Sequence, residues 1–231
     1  MKLTTQLKAI VAAVGLLASA TTMAAPTNYS FAGSFLMDDD VQLFNFSANG
    51  TSNVALISYS YAGGTQANGN VVAGGGFDPI LALFNATTGA YMGQNDDAGS
   101  GPCSGVAINT DGVTGARWDT CFESVLPAGN YTVAVMQYDN FADLTNLANG
   151  FDRVGQGNFT GILGGCSNGS FCDVSLVPAG NNRTKQWAFD ILNAESATQT
   201  DPPNGVPEPG SIALFGLALA GLAYSRRARK V

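Results

Sequence analysis

The feature that most constrains the fold is a series of short alternating apolar runs between residues 25 and 205, separated by turns rich in Gly and Asn. No stretch in this region sustains the apolar period of a helix. The run at 131–138 is the clearest, because Tyr131, Val133 and Val135 fall on one face and the other face is also apolar. Both faces of this strand are therefore expected to be buried, as in a central strand. Many short strands joined by Gly-rich turns predict an all-β antiparallel sandwich.

Other runs show the same alternation and end at turn residues. They lie at 41–46, 54–61, 80–84 and 187–192, with Tyr29, Phe31 and Phe35 as a first edge strand. The turns between strands lie at 49–50, 63–64, 85–89, 127–130 and 178–181. A mature region of roughly 180 residues is long enough to bury one well-formed core. We therefore expect a single domain.

Charge divides the chain into a basic start, an acidic middle and a basic end. Residues 25–205 contain 16 carboxylates and 4 cations, a net charge of −12. Nucleic acid is not an expected partner, because phosphate binding needs clustered Lys and Arg. The chain also has no histidine. This excludes Ser-His-Asp catalysis, histidine zinc sites and imidazole general bases.

Residues 1–24 have the layout of a secretory signal peptide. Lys2 and Lys8 give a positive start, an apolar run follows at 9–20, and small residues at 18–20 offer a cleavage site. The alternative is an N-terminal core helix. We expect the chain to be exported through the Sec machinery.

An uncharged apolar segment at 211–224 predicts a short transmembrane helix near the C-terminal end. Its 14 residues would span about 21 Å as a helix, which is short of the ~30 Å hydrocarbon core of a bilayer. The residues that follow it are basic, namely Arg226, Arg227, Arg229 and Lys230. Since positive residues stay on the cytoplasmic side, the acidic middle of the chain is expected outside.

The last 26 residues, 206–231, resemble the PEP-CTERM sorting signal of Gram-negative bacteria. The resemblance rests on Val206-Pro207-Glu208-Pro209, the short apolar span and the terminal Arg cluster, in that order. It implies an inner-membrane-anchored precursor that an exosortase, a membrane cysteine protease, cuts and passes to the cell surface or an exopolysaccharide matrix. The alternative is a single-pass anchor that is never cut.

Four cysteines form two local pairs, Cys103 with Cys121 and Cys166 with Cys172. An even number of cysteines in an exported chain indicates disulfides. Three connectivities are open, and we favour the local one because each pair brackets a loop rich in Gly, Asn or Ser. A zinc site is the competing interpretation, although the pairs lack the short spacing of zinc ligands.

The middle of the chain resembles the bacterial pre-peptidase C-terminal domain. The resemblance rests on the segments at 75–84, 95–97, 131–135 and 137–141. It implies a jelly-roll-like antiparallel sandwich over residues 25–195, with 196–205 as a linker. The segments at 62–76 and 98–120 look like insertions relative to the compact domain, and no protease domain precedes it.

Acidic side chains predict a calcium site in this domain. Asp78 precedes a predicted strand, Asp96 and Asp97 follow the next, and Asp139 follows the central one. Calcium takes six to eight oxygen ligands from carboxylates and carbonyls. Some members of the pre-peptidase family bind calcium at comparable acidic loops. The alternative is that these aspartates only form turns, and the acidic run at 38–40 fits a solvated linker.

We expect the protein to be a non-enzymatic structural or adhesive module. Glu123 and Glu195 are the only glutamates before the sorting signal, which offers little for glycoside hydrolysis. The alternative is a small secreted carbohydrate-active enzyme or a calcium-dependent carbohydrate-binding module. Exopolysaccharide is the expected neighbour, and Trp118 is the better surface candidate for stacking on sugars, whereas Trp187 alternates with apolar residues and is expected in the core.

Overall fold

The computed structural model describes residues 25–99, 101–174 and 181–200. The predicted signal peptide, the sorting signal and most of the turn at 178–181 lie outside these residues. Within the described part no helix is long and apolar enough to cross a membrane.

Strands make up nearly all of the regular structure of the described chain. They are β1 (Thr27–Ser34), β2 (Val41–Ala48), β3 (Asn53–Ser58), β4 (Gly63–Thr65), β5 (Val71–Ala73), β6 (Pro79–Asn85), β7 (Tyr91–Asn95), β8 (Cys121–Val125), β9 (Gly129–Gln137), β10 (Gln186–Ala194) and β11 (Ser196–Thr200). The helical parts are a 3-10 turn (Leu147–Asn149) and the short helix α1 (Phe159–Gly164).

Nine of the strands form two antiparallel sheets. The four-stranded sheet has the order β1-β10-β3-β8, the five-stranded sheet has the order β11-β2-β9-β6-β7, and β4 and β5 form a separate hairpin. β1 pairs with β10, and moving inward along the chain β2 pairs with β9, β3 with β8 and β6 with β7. This is one long hairpin rolled into two sheets, which is the topology of a jelly roll. The prediction of a jelly-roll-like antiparallel β-sandwich is confirmed.

The two ends of the sandwich differ in the length of their connections. At one end, which we call the turn end, the strands are joined by 49–52, 86–90, 126–128 and 195. At the other, which we call the loop end, the connections are 35–40, 59–78, 96–120 and 138–185. The strand registers place Thr27 at the turn end and Thr200 at the loop end. The described chain therefore begins and finishes at opposite ends of the sandwich.

The main hydrophobic core lies between the sheets, and the loop-end connections cover both outer faces. Alternate residues of β9 show this division, since Val133 and Val135 belong to the main core while Ala134 and Met136 pack outward. Outward-facing residues of the five-stranded sheet pack against the 138–185 connection, which contributes Phe151 to this second hydrophobic cluster. The other sheet is covered by parts of 59–78 and 96–120. The expectation that β9 is buried on both faces is correct.

The predicted strands all occur, and Trp187 lies in the main core as expected. The predicted linker at 196–205 begins as a strand, because β11 pairs with the outer edge of β2. Its sequence, Ser-Ala-Thr-Gln-Thr, has no run of large apolar residues because it lies at the edge of the sheet. The sandwich therefore continues to Thr200.

Both local cysteine pairs are bonded. Cys103 and Cys121 join the 96–120 connection to β8, with Cα atoms 5.8 Å apart. Cys166 and Cys172 close a small loop after α1, with Cα atoms 5.6 Å apart. The predicted connectivity thus fits the structure, and the described residues contain no free cysteine.

Candidate metal centre

Three of the predicted calcium ligands meet at the loop end. Asp78 directly precedes β6, and Asp96 and Asp97 directly follow β7. Because β6 and β7 are antiparallel neighbours, the start of one lies beside the finish of the other. Carboxylate oxygens of the three residues lie within 4.8 Å of one another.

The cluster is buried on one side and open on the other. The Asp78 side chain belongs to a residue that is only 4% exposed, whereas Asp96 is half-buried and Asp97 is exposed. Among the described residues, the buried Oδ1 atoms of Asp78 and Asp96 have no hydrogen-bond partner. Such oxygens cost free energy unless a donor or a cation meets them.

Two amide side chains add further unpaired oxygens at the same end of the same sheet. Asn95 Oδ1 and Gln137 Oε1 are buried and accept no hydrogen bond from the described part of the chain. Asn95 pairs across the sheet with Leu81, and Gln137 pairs with Pro79. Since Leu81 lies in the main core and cross-strand partners share a face, both amides lie on the inner face of the sheet. The sequence did not single out these two residues as ligands.

Thr120 ties the cluster to the opposite sheet. Its Oγ1 lies 2.5 Å from the Pro79 carbonyl oxygen and 2.6 Å from that of Asp96. Its backbone N–H donates to Ser58 Oγ at 2.7 Å, just past the last hydrogen-bonded pair of β3 and β8. The backbone around the carboxylates is therefore held by both sheets. A ligand bound there would not have to order this backbone.

The protonation equilibria of the cluster reflect burial and mutual repulsion. Burial, and then the charges of Asp96 and Asp97, raise the pKa of Asp78 well above its usual range. Burial and the Asp97 charge raise the pKa of Asp96 to about 7. Burial also raises the pKa of Asp97. Three ionised carboxylates at this distance need a cation to balance them, and their hard oxygens suit calcium.

A second group of buried carboxylates has a cation from the chain itself. The Arg183 guanidinium lies 3.4 Å from Asp111 Oδ2 and 3.6 Å from Asp173 Oδ1. It also donates to the carbonyl oxygens of Gly76 and Tyr61, both at 2.9 Å, and stacks 3.6 Å from the Tyr61 ring centroid. We call this group the Arg183 cluster. The sequence did not reveal it.

Electrostatics separate the two carboxylates of the Arg183 cluster. Burial acts to raise the pKa of Asp111, but hydrogen bonds from Thr114 and the Arg183 charge outweigh it, and the pKa is lowered. The pKa of Asp173 is raised by burial, which the Arg183 charge only partly offsets. One arginine thus compensates part of the charge of two buried acids.

The fourth predicted ligand, Asp139, does not join the cluster. It forms an ion pair with Arg153 in the 138–185 connection, and its backbone is in the left-handed region with φ of 75°. The group of acids that the structure brings together is Asp78, Asp96 and Asp97. The position of Asp139 just after β9 therefore corresponds to a turn, which was the alternative to a calcium ligand.

Asp38 is not part of a solvated linker. It is fully buried and accepts hydrogen bonds from Thr160 and from the Phe171 backbone N–H, the latter at 2.9 Å. Asp39 accepts from the backbone N–H groups of Gly155 and Gly157. The acidic run therefore fixes loops of the loop end.

Trp118 is half-buried, with its ring centroid 5.0 Å from that of the buried Tyr61. The surface available for stacking on a sugar is reduced by this contact. Its role as a sugar platform stays a prediction.

Comparison with protein families supports the predicted sorting signal. Residues 205–230 match the family described as the PEP-CTERM protein-sorting motif. The chain carries a PEP-CTERM sorting signal. This signal indicates an exported protein that an exosortase processes, as the sequence predicted. No curated protein and no solved structure matches the chain, and the kinship of the β-sandwich with the pre-peptidase C-terminal domain stays a prediction.

Proposed function

We propose that this PEP-CTERM protein is a non-enzymatic structural or adhesive module of the cell surface or the exopolysaccharide matrix, and that its jelly roll binds calcium through Asp78, Asp96 and Asp97. The observation that carries the calcium site is the meeting of these three carboxylates within 4.8 Å, with the buried Oδ1 atoms of Asp78 and Asp96 lacking a hydrogen-bond donor among the described residues. Export supports this assignment, because the sorting signal takes the domain outside the cell.

The set of oxygens favours calcium over magnesium. Three carboxylates contribute a charge of −3 when ionised, and their oxygens lie within 4.8 Å of one another. Calcium accepts a mixed set of six to eight oxygens at flexible angles, whereas magnesium demands near-octahedral geometry and keeps its waters. The open side at Asp97 leaves room for water to complete the coordination.

The accessibility of the acids supports a role without catalysis. A sugar cannot reach the Asp78 carboxylate as a general acid or nucleophile, because the residue is almost completely buried. Glu123 lies in β8 and Glu195 joins β10 to β11 at the turn end. Two carboxylates flanking one glycosidic bond must lie about 5–9.5 Å apart, and the positions of these glutamates do not suggest such a pair.

A second candidate function is a calcium-dependent carbohydrate-binding module. It is favoured by the exposure of Asp97, which leaves one side of the proposed ion open to solvent. Sugar hydroxyls could replace water on that side, since they are oxygen donors of the same kind. This candidate differs from the first only in requiring that the ion itself contacts the polysaccharide.

The calcium site is tested by thermal unfolding of the exported protein with calcium, with magnesium at equal ionic strength, and with chelator. A ligand that binds only the folded state stabilises it by about 2.7 kcal/mol at a concentration of 100 Kd. We expect calcium to raise the Tm and the double substitution Asp96→Asn with Asp97→Asn to abolish the rise. Asp152→Asn is the matched control, because Asp152 is exposed and outside the cluster. Equal shifts with both cations would show general screening and refute the site.

The matrix role is tested by retention of the protein on exopolysaccharide isolated from the producing cells. The structural or adhesive role predicts retention without release of sugar. Retention that needs calcium and is lost on Asp97→Asn would favour the second candidate. Sugar release that is lost on Glu123→Gln would show an enzyme and contradict both.

A further inference from the structure

Exposed apolar side chains gather at the loop end. Leu36 is 77% exposed and Met37 is 50% exposed in the 35–40 connection, and Ile162 and Leu163 of α1 are 87% and 46% exposed. We call these four residues the apolar rim. Exposed apolar side chains that are grouped on one surface mark a contact with another protein or with a membrane.

The two segments of the rim are fastened to each other. Asp38, next to Met37, accepts hydrogen bonds from both the backbone and the side chain of Thr160 in α1. The Met37 Sδ atom lies close to Gly157, which precedes α1. Asp39 accepts hydrogen bonds from the backbone N–H groups of Gly155 and Gly157, in the segment before α1. The rim therefore belongs to one fixed surface and not to independent loops.

The chain leaves the sandwich at the same end. β11 finishes at Thr200, which is paired with Leu43 near the start of β2, and Gln42 Nε2 donates to the Thr200 carbonyl oxygen at 2.5 Å. The 35–40 connection leads directly into β2. The chain thus leaves the sandwich at the end where Leu36 and Met37 lie.

The segment that follows is too short to move the membrane anchor far away. Residues 201–210 separate Thr200 from the apolar segment at 211–224, and four of these ten residues are prolines. Ten residues in an extended proline-rich conformation reach about 31 Å. An anchored precursor therefore holds the loop end close to the bilayer throughout its lifetime.

We propose that the apolar rim rests on the lipid bilayer in the membrane-anchored precursor, so that the loop end faces the membrane and the turn end faces away. The inference rests on the anchoring implied by the sorting signal and is independent of calcium binding. The tether makes contact with the bilayer an intramolecular event with a high effective concentration.

The charge and size of the rim point to lipid and not to a second copy. A stable protein interface buries about 800 Å² on each partner, more than four side chains offer. The acidic residues of the 38–40 run are turned to backbone donors of the protein. Because residues 25–205 carry a net charge of −12, neutral lipids should bind better than anionic lipids, the reverse of basic interfacial helices.

The test uses two variants of the full chain, each with one added tryptophan, at the loop end or at the turn end of the sandwich. Each variant is reconstituted in phosphatidylcholine vesicles with brominated acyl chains. Ile162→Trp reports on the rim. Val125→Trp is the matched control, since Val125 is a 59% exposed apolar residue at the turn end. The emission of Trp118 and Trp187 is subtracted with the unsubstituted chain. We expect bromine to quench the added fluorescence at 162 and to leave that at 125 unchanged.

A second reporter covers the case in which Trp at 162 disturbs α1. Met37→Trp should also be quenched, and adding Leu36→Asp with Leu163→Asp should remove the quenching while the circular dichroism stays that of the folded protein. Adding phosphatidylglycerol at low salt should weaken the quenching.

Three outcomes overturn the proposal. Equal quenching at 125 and 162, or none at either, shows that the loop end does not face the bilayer. A blue shift that grows with protein concentration and is insensitive to bromine shows that a second copy covers the rim. A chain that does not float with the vesicles lacks the anchoring on which the proposal depends. Quenching that is the same with calcium and with chelator keeps this result separate from the calcium site.

Discussion

Two clusters of carboxylates lie at the loop end, and they differ in where their positive charge comes from. Asp111 and Asp173 are compensated by the guanidinium of Arg183, which belongs to the same chain. Asp78, Asp96 and Asp97 also come together, and the ion pairs of Arg153 and Arg183 in the described part of the chain are formed with other acids. The two groups are close enough for the charge of Asp173 to raise the pKa of Asp78.

The difference teaches what each cluster can do. A carboxylate pair with its own arginine has its cation as soon as the chain folds, so its contribution to stability does not depend on a dissolved cation. A cluster of acids without a cation is destabilising at neutral pH until an ion arrives, and its contribution then depends on that ion. The first is a fixed element of the fold, and the second is a site.

The largest expected effect comes from removing the cation of the Arg183 cluster. Arg183→Met should lower the free energy of unfolding by about 3–5 kcal/mol, because it leaves buried carboxylates without their partner. Urea unfolding measures the loss, which should be the same with calcium and with chelator. A loss that calcium restores would erase the distinction between the two clusters.

Arg153→Met is the matched control for this substitution. Arg153 pairs with Asp139, but both side chains are 29% exposed, and ion pairs of this kind contribute roughly 0–1 kcal/mol. We expect the urea midpoint to change little. A loss as large as that of Arg183→Met would mean that burial does not set the size of the effect.

An intermediate effect is expected at the cluster of Asp78, Asp96 and Asp97. Asp78→Asn should raise the free energy of unfolding in chelator at pH 8, because it replaces a buried carboxyl group whose pKa burial raises well above the usual range. The same substitution should reduce the stabilisation by calcium. Destabilisation in chelator would show that Asp78 is already compensated.

A further expected effect is the dependence of the free energy of unfolding on pH in chelator. Asp96 has a pKa of about 7 in the folded protein against 3.8 in the reference state. Its folded form therefore holds a proton that the unfolded form has lost, and this contribution to stability, complete below pH 3.8, disappears as the pH rises through about 7. The urea midpoint should fall between pH 5 and 8.

Two changes should alter the dependence of the urea midpoint on pH. Asp96→Asn should flatten the fall, although Asp119 and Asp173, whose pKa values are also raised by burial, leave a remaining slope. Saturating calcium should reverse it, because calcium binds ionised carboxylates. The lowered pKa of Asp111 acts only below its reference pKa, outside this range. A midpoint independent of pH would count against the raised pKa of Asp96.

Local sequence patterns were sufficient for the all-β sandwich, whereas the jelly-roll topology was implied by a family resemblance and the edge strand β11 was missed. Alternation in 131–138 and Gly-rich turns locate the strands, and Asp78, Asp96 and Asp97 stand directly beside strand ends. The meeting of these acids follows once β6 and β7 are known to form a hairpin.

What the sequence could not supply depends on residues that are distant along the chain. Arg183 lies 72 positions from Asp111, and neither residue belongs to a strand whose register could be inferred. Asn95 and Gln137 are amides at strand ends, where such residues normally cap turns. Asp139 follows the end of a strand, as Asp96 does. The two differ because Asp139 forms an ion pair with Arg153, which lies in a long connection whose position the sequence does not reveal.

The pairing of the outermost strands ties the folding of the domain to the passage of the chain across the membrane. Thr27 pairs with Ala194, so β1 has no partner until almost the whole domain has been delivered. Chains dominated by such distant pairs fold slowly, and a chain that emerges from its N-terminal end must wait for the last strands. Those strands are followed within ten residues by the sorting motif that begins at Val206. Closure of the jelly roll and the arrival of the exosortase signal are therefore consecutive events.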